Sequence, residues 1–182
     1  MRIISGSLKV KTITPPASYK ARPTTDFARE ALFDVLNNEY EFEDLKVLDL
    51  FGGSGQLGIE ALSRGARETV FVDSSKNSVQ LIRENLKRCG LEAGVLQTDA
   101  LSYLSRGEKF DVIFIDPPYD GGLYSAVLER INAVDNLTEG GIIIVEARRE
   151  QPLPDLAAPY GRRKEYRYGK IKIAVYTKEN EL

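Results

Sequence analysis

Short apolar runs alternate with amphipathic stretches along the middle of the chain. The runs are four to six residues long and are bounded by turn-forming residues; they lie at Lys46–Phe51, Thr69–Asp73, Gly94–Gln97, Asp111–Asp116 and Gly141–Glu146. Runs of this length predict buried strands. The stretches between them carry apolar residues three and four positions apart, which predicts helices at Leu57–Arg64, Ser75–Arg88 and Leu123–Val134.

This alternation predicts the fold class. Strands separated by helices pair in parallel, and the helices cover both faces of the sheet. We therefore expect an α/β fold with a doubly wound, mostly parallel sheet. Near the end of the chain, Arg163–Tyr168 and Lys172–Thr177 flank a Gly-Lys pair, which predicts an antiparallel hairpin that completes the sheet, preceded by a loop at Gln151–Gly161.

The first forty residues follow a different pattern. Arg2–Ser5 and Val10–Thr14 are β-like runs separated by a Gly-Ser pair, which predicts a small hairpin. Thr25 or Asp26 resembles the N-cap of a helix that continues to about Leu36. The chain then divides into an N-terminal hairpin-and-helix extension over residues 1–40 and a main domain over residues 41–182.

Composition excludes several classes of mechanism. The chain has one cysteine, Cys89, and no histidine, which excludes an internal disulfide, a Cys/His metal cluster and every triad that depends on histidine. We therefore expect no metal centre. No apolar run approaches the roughly 18 residues that a membrane span needs, and no signal peptide opens the chain. We expect a cytoplasmic protein without membrane association.

The net charge of −2 conceals an uneven distribution. Residues 1–30 hold six Lys/Arg against two acids, a charge of +4, and residues 161–178 hold seven against one, a charge of +6. Residues 31–160 hold 12 basic and 22 acidic side chains, a charge of −10, and the last four residues add −2. Basic ends on an acidic body can direct a polyanion to one face, although ordinary solvated charge gives the same pattern.

A glycine-rich loop follows the first predicted strand and opens the first predicted helix. Gly53, Gly55 and Gly58 match GxGxxG, a spacing that lets the backbone turn tightly and brings a ligand to the helix N-terminus. Asp73 ends the next strand, 20 residues after Gly53, where a carboxylate can accept hydrogen bonds from both hydroxyls of a ribose. The pattern fits either a dinucleotide or S-adenosylmethionine.

Two further acids bear on this choice. Asp49 lies just ahead of the glycines, where a carboxylate can hold the ammonium group of the methionine moiety but would repel a pyrophosphate. This favours S-adenosylmethionine, although Asp49 can also cap the strand end. Asp99 follows the third strand, where it can accept a hydrogen bond from the adenine amine or cap a short helix at Leu101–Leu104.

The sequence Asp-Pro-Pro-Tyr follows the fourth strand, at Asp116–Tyr119. Its two prolines fix the backbone, so the Asp116 carboxylate and the Pro117 carbonyl can converge on one point. Two acceptors suit an amino group with two N–H donors. They favour a pyramidal nitrogen whose lone pair can face the methyl group of S-adenosylmethionine. Tyr119 offers a flat face on which a flipped base can stack. We expect a catalytic tip made of Asp116, Pro117, Pro118 and Tyr119; the alternative is a rigid structural turn.

With both motifs present, the chain resembles the bacterial 16S rRNA (guanine-N2) methyltransferases, which use S-adenosylmethionine. The blocks that carry the resemblance span nearly the whole chain and lie at Arg2–Lys9, Arg22–Asp26, Arg29–Phe33, Leu48–Gly58, Glu60–Ala66 and Asp116–Tyr119. The glycine loop and Asp-Pro-Pro-Tyr occur in many methyltransferases, whereas the N-terminal blocks are specific to this family.

The resemblance implies a Rossmann-like class I methyltransferase fold. It also implies methylation of a guanine N2 amine in 16S rRNA, within the assembled or assembling small ribosomal subunit. It carries cofactor roles to Asp49, Gly53, Gly55 and Asp73, and the amine-binding role to Asp116, Pro117 and Tyr119. In addition, it places Arg22 and Thr24 beside the cofactor pocket.

The basic N-terminal segment is the predicted RNA-binding part of the chain. In an open α/β sheet, the ligand crevice lies at the carboxyl ends of the strands. We expect the segment to flank this edge and to hold phosphates, which position a nucleic acid without selecting the base. The candidates are Lys9, Lys11, Lys20 and Arg22. Residues 162–167 could also contribute to RNA binding, but an outward-facing hairpin is the favoured interpretation.

Three other functions fit parts of the pattern. An adenine-N6 DNA methyltransferase would share Asp-Pro-Pro-Tyr, but the chain has no room for a target-recognition segment beyond residues 1–40. An NAD(P)-dependent oxidoreductase would share the glycine loop, but Asp49 and the absence of histidine disfavour it. A ribosome-assembly protein with a relict cofactor site is disfavoured by the presence of Asp49, Asp73 and the Asp-Pro-Pro-Tyr tip.

Overall fold

The computed structural model describes residues 1–17, 30–33, 36, 41–118 and 122–178, with the exception of the Arg163 side chain. The strands in these ranges are β1 (Lys46–Asp49), β2 (Glu68–Asp73), β3 (Gly94–Gln97), β4 (Phe110–Ile115), β5 (Leu137–Arg148), β6 (Tyr160–Tyr168) and β7 (Ile171–Lys178). The helices are α1 (Gln56–Ser63), α2 (Lys76–Cys89), α3 (Ala100–Leu104) and α4 (Leu123–Val134). Residues 30–33 and 36 are also helical.

The strands form one sheet in the order β3-β2-β1-β4-β5-β7-β6. Strands β1 to β5 pair in parallel, whereas β7 is antiparallel to β5 and β6 is antiparallel to β7. The doubly wound, mostly parallel sheet and the C-terminal antiparallel hairpin expected from the sequence are confirmed. Because the strand order reverses between β1 and β4, a crevice opens there at the carboxyl ends of the strands.

Helices cover both faces of the sheet. Side chains alternate along a strand, so Leu48 and Ile113 pack with α3 and α4, whereas Val47 and Phe114 pack with α1 and with the helical residues 30–33 and 36. On this second face, a further apolar cluster joins the N-terminal residues to α1 and α2. The sheet therefore has a covered, apolar centre, and its strand ends can carry polar groups.

The N-terminal residues pack on α1 through a buried acid. Glu60, which is 1% exposed, accepts hydrogen bonds from the amides of Ile4 (2.8 Å) and Ser5 (2.9 Å) and from Nε of Arg64 (2.9 Å). The predicted hairpin is reduced to one isolated antiparallel bridge, Arg2 to Thr12, around a turn longer than the Gly-Ser pair. The predicted start of the following helix lies outside the described residues.

Strand β5 is longer than the apolar run that predicts it. It covers twelve residues, and Glu146–Arg148 continue past the end of β4 because they pair with Ile171–Ile173 of β7. Likewise, β6 begins at Tyr160, inside the predicted loop, because Tyr160–Tyr168 pair with β7 along its whole length. These polar residues are in strands because they pair with a neighbouring strand. They form no apolar run, so the sequence pattern does not predict them as strand.

Candidate active site

The tip of β1 carries a buried carboxylate. Asp49 is 3% exposed, and its Oδ2 accepts a hydrogen bond from the amide of Gly58 in α1 at 3.0 Å. Burial raises the pKa of Asp49 to about 7, the Gly58 amide opposes this rise, and the nearby charge of Asp73 adds to it. Such a group is poised to hold a positive charge, because a cation beside it would favour the ionised form.

The glycine loop brings α1 close to the sheet. Gly53 and Gly55 have φ angles of 56° and 80°, and Gly55 is the N-cap of α1. A Cβ atom on Gly58 would lie 2.3 Å from the Phe71 ring of β2. These positions suit glycine because the first two are left-handed and the third has no room for a side chain.

Backbone amides orient the carboxylate at the end of β2. Oδ2 of Asp73 accepts a hydrogen bond from the Gly53 amide at 2.9 Å, and Oδ1 accepts one from the Ser75 amide at 2.8 Å. Each carboxylate oxygen has two lone pairs, so both keep a position for a further donor. The half-buried Asp73 side chain is thus fixed in a suitable orientation for two hydroxyl groups.

Asp99 caps a helix. Its Oδ1 accepts a hydrogen bond from the Ser102 amide at 2.9 Å as the N-cap of α3. The side chain of Ser102, together with this amide, lowers the pKa of the exposed carboxyl. The second interpretation of the sequence, a helix cap, therefore describes its position. An additional contact with adenine stays a prediction, since one oxygen atom can still accept.

The tip of β4 lies beside β1. Asp116 directly follows β4, Pro117 is buried and Pro118 is exposed, whereas Tyr119 lies outside the described residues. Asp116 is exposed as a residue, and partial desolvation of its carboxyl group at the strand end raises its pKa well above the ordinary value. The negative charges of Glu146 and Asp49 raise this pKa further.

A third carboxylate was missed in the sequence. Glu146 lies on β5 one residue after Val145, which pairs with Ile115 at the end of β4. Asp49, Asp116 and Glu146 each lie two residues after a side chain of the α1-side core, so they point to the same face on adjacent strands. The sequence did contain a signal for it, because Glu146 is an acid at the carboxyl end of a predicted strand.

Tyr124 lies near Asp116 and Glu146 but on the opposite face of the sheet. Its ring is buried, and its hydroxyl donates a hydrogen bond to the Glu146 carbonyl oxygen at 3.2 Å. Burial, together with the charges of Asp116 and Glu146, raises the pKa of Tyr124, so its hydroxyl stays protonated. The site can bind a ligand that brings N–H donors or positive charge.

The comparisons with known proteins agree on a family. The chain matches the family model described as Conserved hypothetical protein 95 over residues 1–177. It is 38% identical over 184 residues to YlbH of Bacillus subtilis (strain 168), covering 98% of this chain and 99% of YlbH. It is 33% identical over 183 residues to ribosomal RNA small subunit methyltransferase D of Escherichia coli (strain K12), covering 98% of this chain and 90% of that enzyme. The chain belongs to the ribosomal RNA small subunit methyltransferase D family.

Solved structures agree with this family and with its predicted Rossmann-like fold. The chain superposes on yhhF from Escherichia coli with a TM-score of 0.84 and 31% identity, covering 100% of this chain and 99% of that chain. The T. thermophilus 16S rRNA N2 methyltransferase RsmC, solved with AdoMet (S-adenosylmethionine) and guanosine, has a TM-score of 0.70 and 23% identity, over 90% of this chain and 45% of that chain. At that identity, RsmC shares the fold alone.

The structure does not bring Lys9 and Lys11 to the crevice. Nζ of Lys11 donates a hydrogen bond to the Cys89 carbonyl at 3.1 Å, at the end of α2. Lys9 lies in a turn whose Ser7 amide bonds the Ser63 carbonyl at 2.7 Å, at the end of α1. Both helices begin at the carboxyl edge of the sheet, and α2 is about 20 Å long. Lys9 and Lys11 therefore lie near the ends of these helices that are farther from the crevice, and their role in binding RNA stays a prediction.

Other predicted residues are not described. Lys20, Arg22 and Thr24 lie outside the described residues, so their proximity to the cofactor pocket and to RNA stays a prediction. In the part of the chain that the structure describes, no helix is long and apolar enough to cross a membrane. In that same part, no group of three or more His, Cys, Asp or Glu residues is arranged to hold a metal ion, and this includes the row of three carboxylates.

Proposed function

We propose that this member of the ribosomal RNA small subunit methyltransferase D family transfers a methyl group from S-adenosylmethionine to the N2 amine of a guanine in 16S rRNA, within the small ribosomal subunit. The observation that carries the proposal is the row of acceptors across β1, β4 and β5, formed by Asp49, Asp116 and Glu146 at the reversal of strand order. Family membership supports rRNA as the substrate class.

The cofactor half of the proposal rests on Asp49 and Asp73. Asp49 would hold the ammonium group of the methionine moiety, and that contact would return the buried carboxyl to its ionised form. Asp73, already oriented by the Gly53 and Ser75 amides, would accept hydrogen bonds from the ribose hydroxyls. When bound, the cofactor supplies a methyl group on a positively charged sulfur. As the amine nitrogen forms a bond to the methyl carbon, the carbon–sulfur bond breaks and the sulfur keeps its electron pair.

The amine half rests on Asp116 and Pro117. The carboxylate and the carbonyl would each accept one N–H of the exocyclic amine, so that the nitrogen lone pair faces the methyl group. Most of the acceleration would come from this placement and from the electrostatics of the site. The nitrogen loses a proton after it forms the fourth bond. Because the raised pKa of Asp116 makes its carboxylate a stronger base than an ordinary aspartate, Asp116 would accept that proton.

The neighbouring carboxylate favours guanine over adenine. Guanine presents the N1–H and the two N2 hydrogens side by side, and so offers three donors on one edge. Asp116 and Glu146, on adjacent strands, supply carboxylate acceptors for both groups. Adenine places the bare N1 beside its amine, and a carboxylate would repel that lone pair. Two anionic acceptors therefore match guanine better than adenine.

Methyl transfer to small ribosomal subunits tests the proposal. Small subunits from cells that lack the endogenous enzyme would be incubated with the protein and methyl-labelled cofactor. Nucleoside analysis of the 16S rRNA is expected to show label in N2-methylguanosine. The same assay with naked 16S rRNA and with double-stranded DNA separates the substrate classes. Label in N6-methyladenosine, or in DNA alone, would overturn the assignment.

A further inference from the structure

A wall rises beside the crevice at the end of β5. The pairing of β4 with β5 ends at Ile115 and Val145, but β5 continues for three residues, about 10 Å, in contact with β7 alone. The turn between β6 and β7 lies against this end of β5, since the Arg149 amide donates a hydrogen bond to the Lys170 carbonyl at 2.9 Å. We name residues 148–150 and 165–172 the β5–β7 wall.

The β5–β7 wall is strongly basic. Its residues include five Lys/Arg against two Glu, a charge of +3. Arg148, Arg149, Arg167 and Lys170 are exposed. The charge of Glu165 is paired within the wall, because its carboxylate lies 3.1 Å from Arg167 and 3.5 Å from the buried Lys172. Glu150 is also exposed, so four exposed basic side chains stand against one exposed acid and this surface is positive.

The crevice has the opposite charge. Asp49, Asp73 and Asp116, together with Glu146, line the carboxyl edge from β2 to β5. A phosphate would be repelled from this edge, whereas an amino group is attracted. Arg148 lies two residues beyond Glu146 on the same face of β5, about 7 Å farther from the crevice. The basic wall and the acidic crevice thus lie side by side, close enough for one nucleotide chain to place a base in the crevice and its backbone phosphates on the wall.

We propose that the β5–β7 wall binds the phosphates that flank the target nucleotide, so that the base enters the acidic crevice while its backbone rests on the wall. This inference rests on the proposed function for the identity of the base. It assigns an RNA-binding role to the hairpin for which the sequence pattern favoured a simple outward-facing position, and it locates that role on the same edge as the catalytic tip. The wall is a positioning surface, and the crevice selects the base.

The test removes two exposed charges from the wall. Arg149→Gln with Lys170→Gln keeps both backbone atoms of the connecting hydrogen bond. The matched control, Lys87→Gln with Arg88→Gln, removes the same charge from exposed positions in the last turn of α2, at the opposite edge. Binding to unmethylated small subunits would be measured between 0.05 and about 0.2 M salt, where counterion release dominates.

The wall variant is expected to weaken binding about 25-fold at 0.1 M salt and to reduce the salt slope by about 1.4, the share of two phosphate contacts on a single strand. Its kcat at saturating small subunits and its affinity for S-adenosylhomocysteine should equal those of the wild type. The control variant should retain the wild-type salt slope. Equal slopes for the wall variant and the wild type would overturn the inference.

Methyl transfer measured in the same samples separates the two proposals. If the wild type binds small subunits through the wall but transfers no methyl group to guanine, the proposed function is wrong and the wall stands. If it methylates guanine and the wall variant has wild-type KM and salt slope, the wall is wrong and the function stands. If the wild type does not bind small subunits at all, both are wrong.

Discussion

The two sides of the crevice hold their carboxylates differently. On the β1–β2 side, the amides of Gly53, Gly58 and Ser75 donate hydrogen bonds to Asp49 and Asp73 at 2.8–3.0 Å. On the β4–β5 side, Asp116 loses hydration and lies near the charges of Glu146 and Asp49. The first side is organised before any ligand arrives. The second gains most when a ligand brings N–H donors, which is the property that an amine-binding site requires.

The largest effect is expected on the amine side. In Asp116→Asn, an amide donor replaces one of the two acceptors for the amine, so kcat should fall about 1000-fold, the loss that follows removal of one organised catalytic hydrogen bond. Affinity for S-adenosylhomocysteine should be unchanged. Because Asp116 is an exposed residue, the variant should retain about the Tm of the wild type.

These measurements, made by methyl transfer to small subunits, calorimetric titration and thermal unfolding, distinguish a chemical role from a structural one. A variant that lost cofactor affinity or Tm together with kcat would show that Asp116 supports the fold of the tip. A variant that retained wild-type kcat would contradict the role assigned to its carboxylate.

The next largest effect is expected on the cofactor side. Asp49→Asn keeps an oxygen for the Gly58 amide but loses the charge that would hold the ammonium group. Replacing a charged hydrogen bond by a neutral one should weaken S-adenosylmethionine binding about 100-fold, or about 2.7 kcal/mol. Isothermal titration would measure this change. Asp73→Asn is the companion variant on the same side, and an undiminished affinity in Asp49→Asn would exclude the ammonium contact.

The two sides of the crevice also show which features the sequence could predict. Glycine at positions 53, 55 and 58, followed by Asp73, is a local pattern, because one loop and one strand end determine the geometry. The Asp-Pro-Pro-Tyr tip is local in the same sense. The strand alternation also places the tips of β1 and β4 at one edge, and the structure confirms this arrangement.

The rest depends on contacts between distant segments. Glu146 meets Asp116 only through the register of β5 with β4, which shifts between Phe110 and Val112, and through the pairing of β5 with β7. The positions of Lys9 and Lys11 depend on how the N-terminal residues pack on α1, where the buried Glu60 binds two of their amides. Charge in a sequence shows which residues are basic, but only packing determines which edge they reach.

The pH dependence of cofactor binding also separates the two sides. The pKa of Asp49 is raised from the ordinary 3.8 to about 7 in the unliganded protein, and an ammonium group beside it would favour the ionised form. Cofactor binding then displaces a proton below pH 7, so the Kd should rise by up to tenfold per pH unit between pH 7 and pH 5. In Asp49→Asn this dependence should disappear. A wild-type Kd that is constant over this range would contradict the contact.

The sign for stability is opposite to that of an ordinary salt-bridged aspartate. Below about pH 4, both the folded and the unfolded chain hold the Asp49 proton. As the pH rises toward 7, the unfolded chain loses its proton and the folded chain keeps it, so the free energy of unfolding falls. Above pH 7, the full loss, on the order of 4 kcal/mol, is present. Asp49→Asn should therefore be more stable than the wild type at pH 8, and this difference should narrow toward pH 4.

The smallest effect is expected from Glu146→Gln, and it tests how closely the amine side is coupled. The charge of Glu146 raises the pKa of Asp116, so removing it should lower that pKa and move the acid limb of the kcat profile to lower pH. Gln keeps one acceptor for the guanine edge, but a neutral one, so the KM for small subunits should rise about fivefold, or about 1 kcal/mol. Glu139→Gln, at the other end of β5 and paired with Lys178 at 3.2 Å, is the matched control. A purely structural Glu146 would change Tm without moving the acid limb, whereas a shifted limb with wild-type Tm would show that its charge acts on Asp116 across the strand pair.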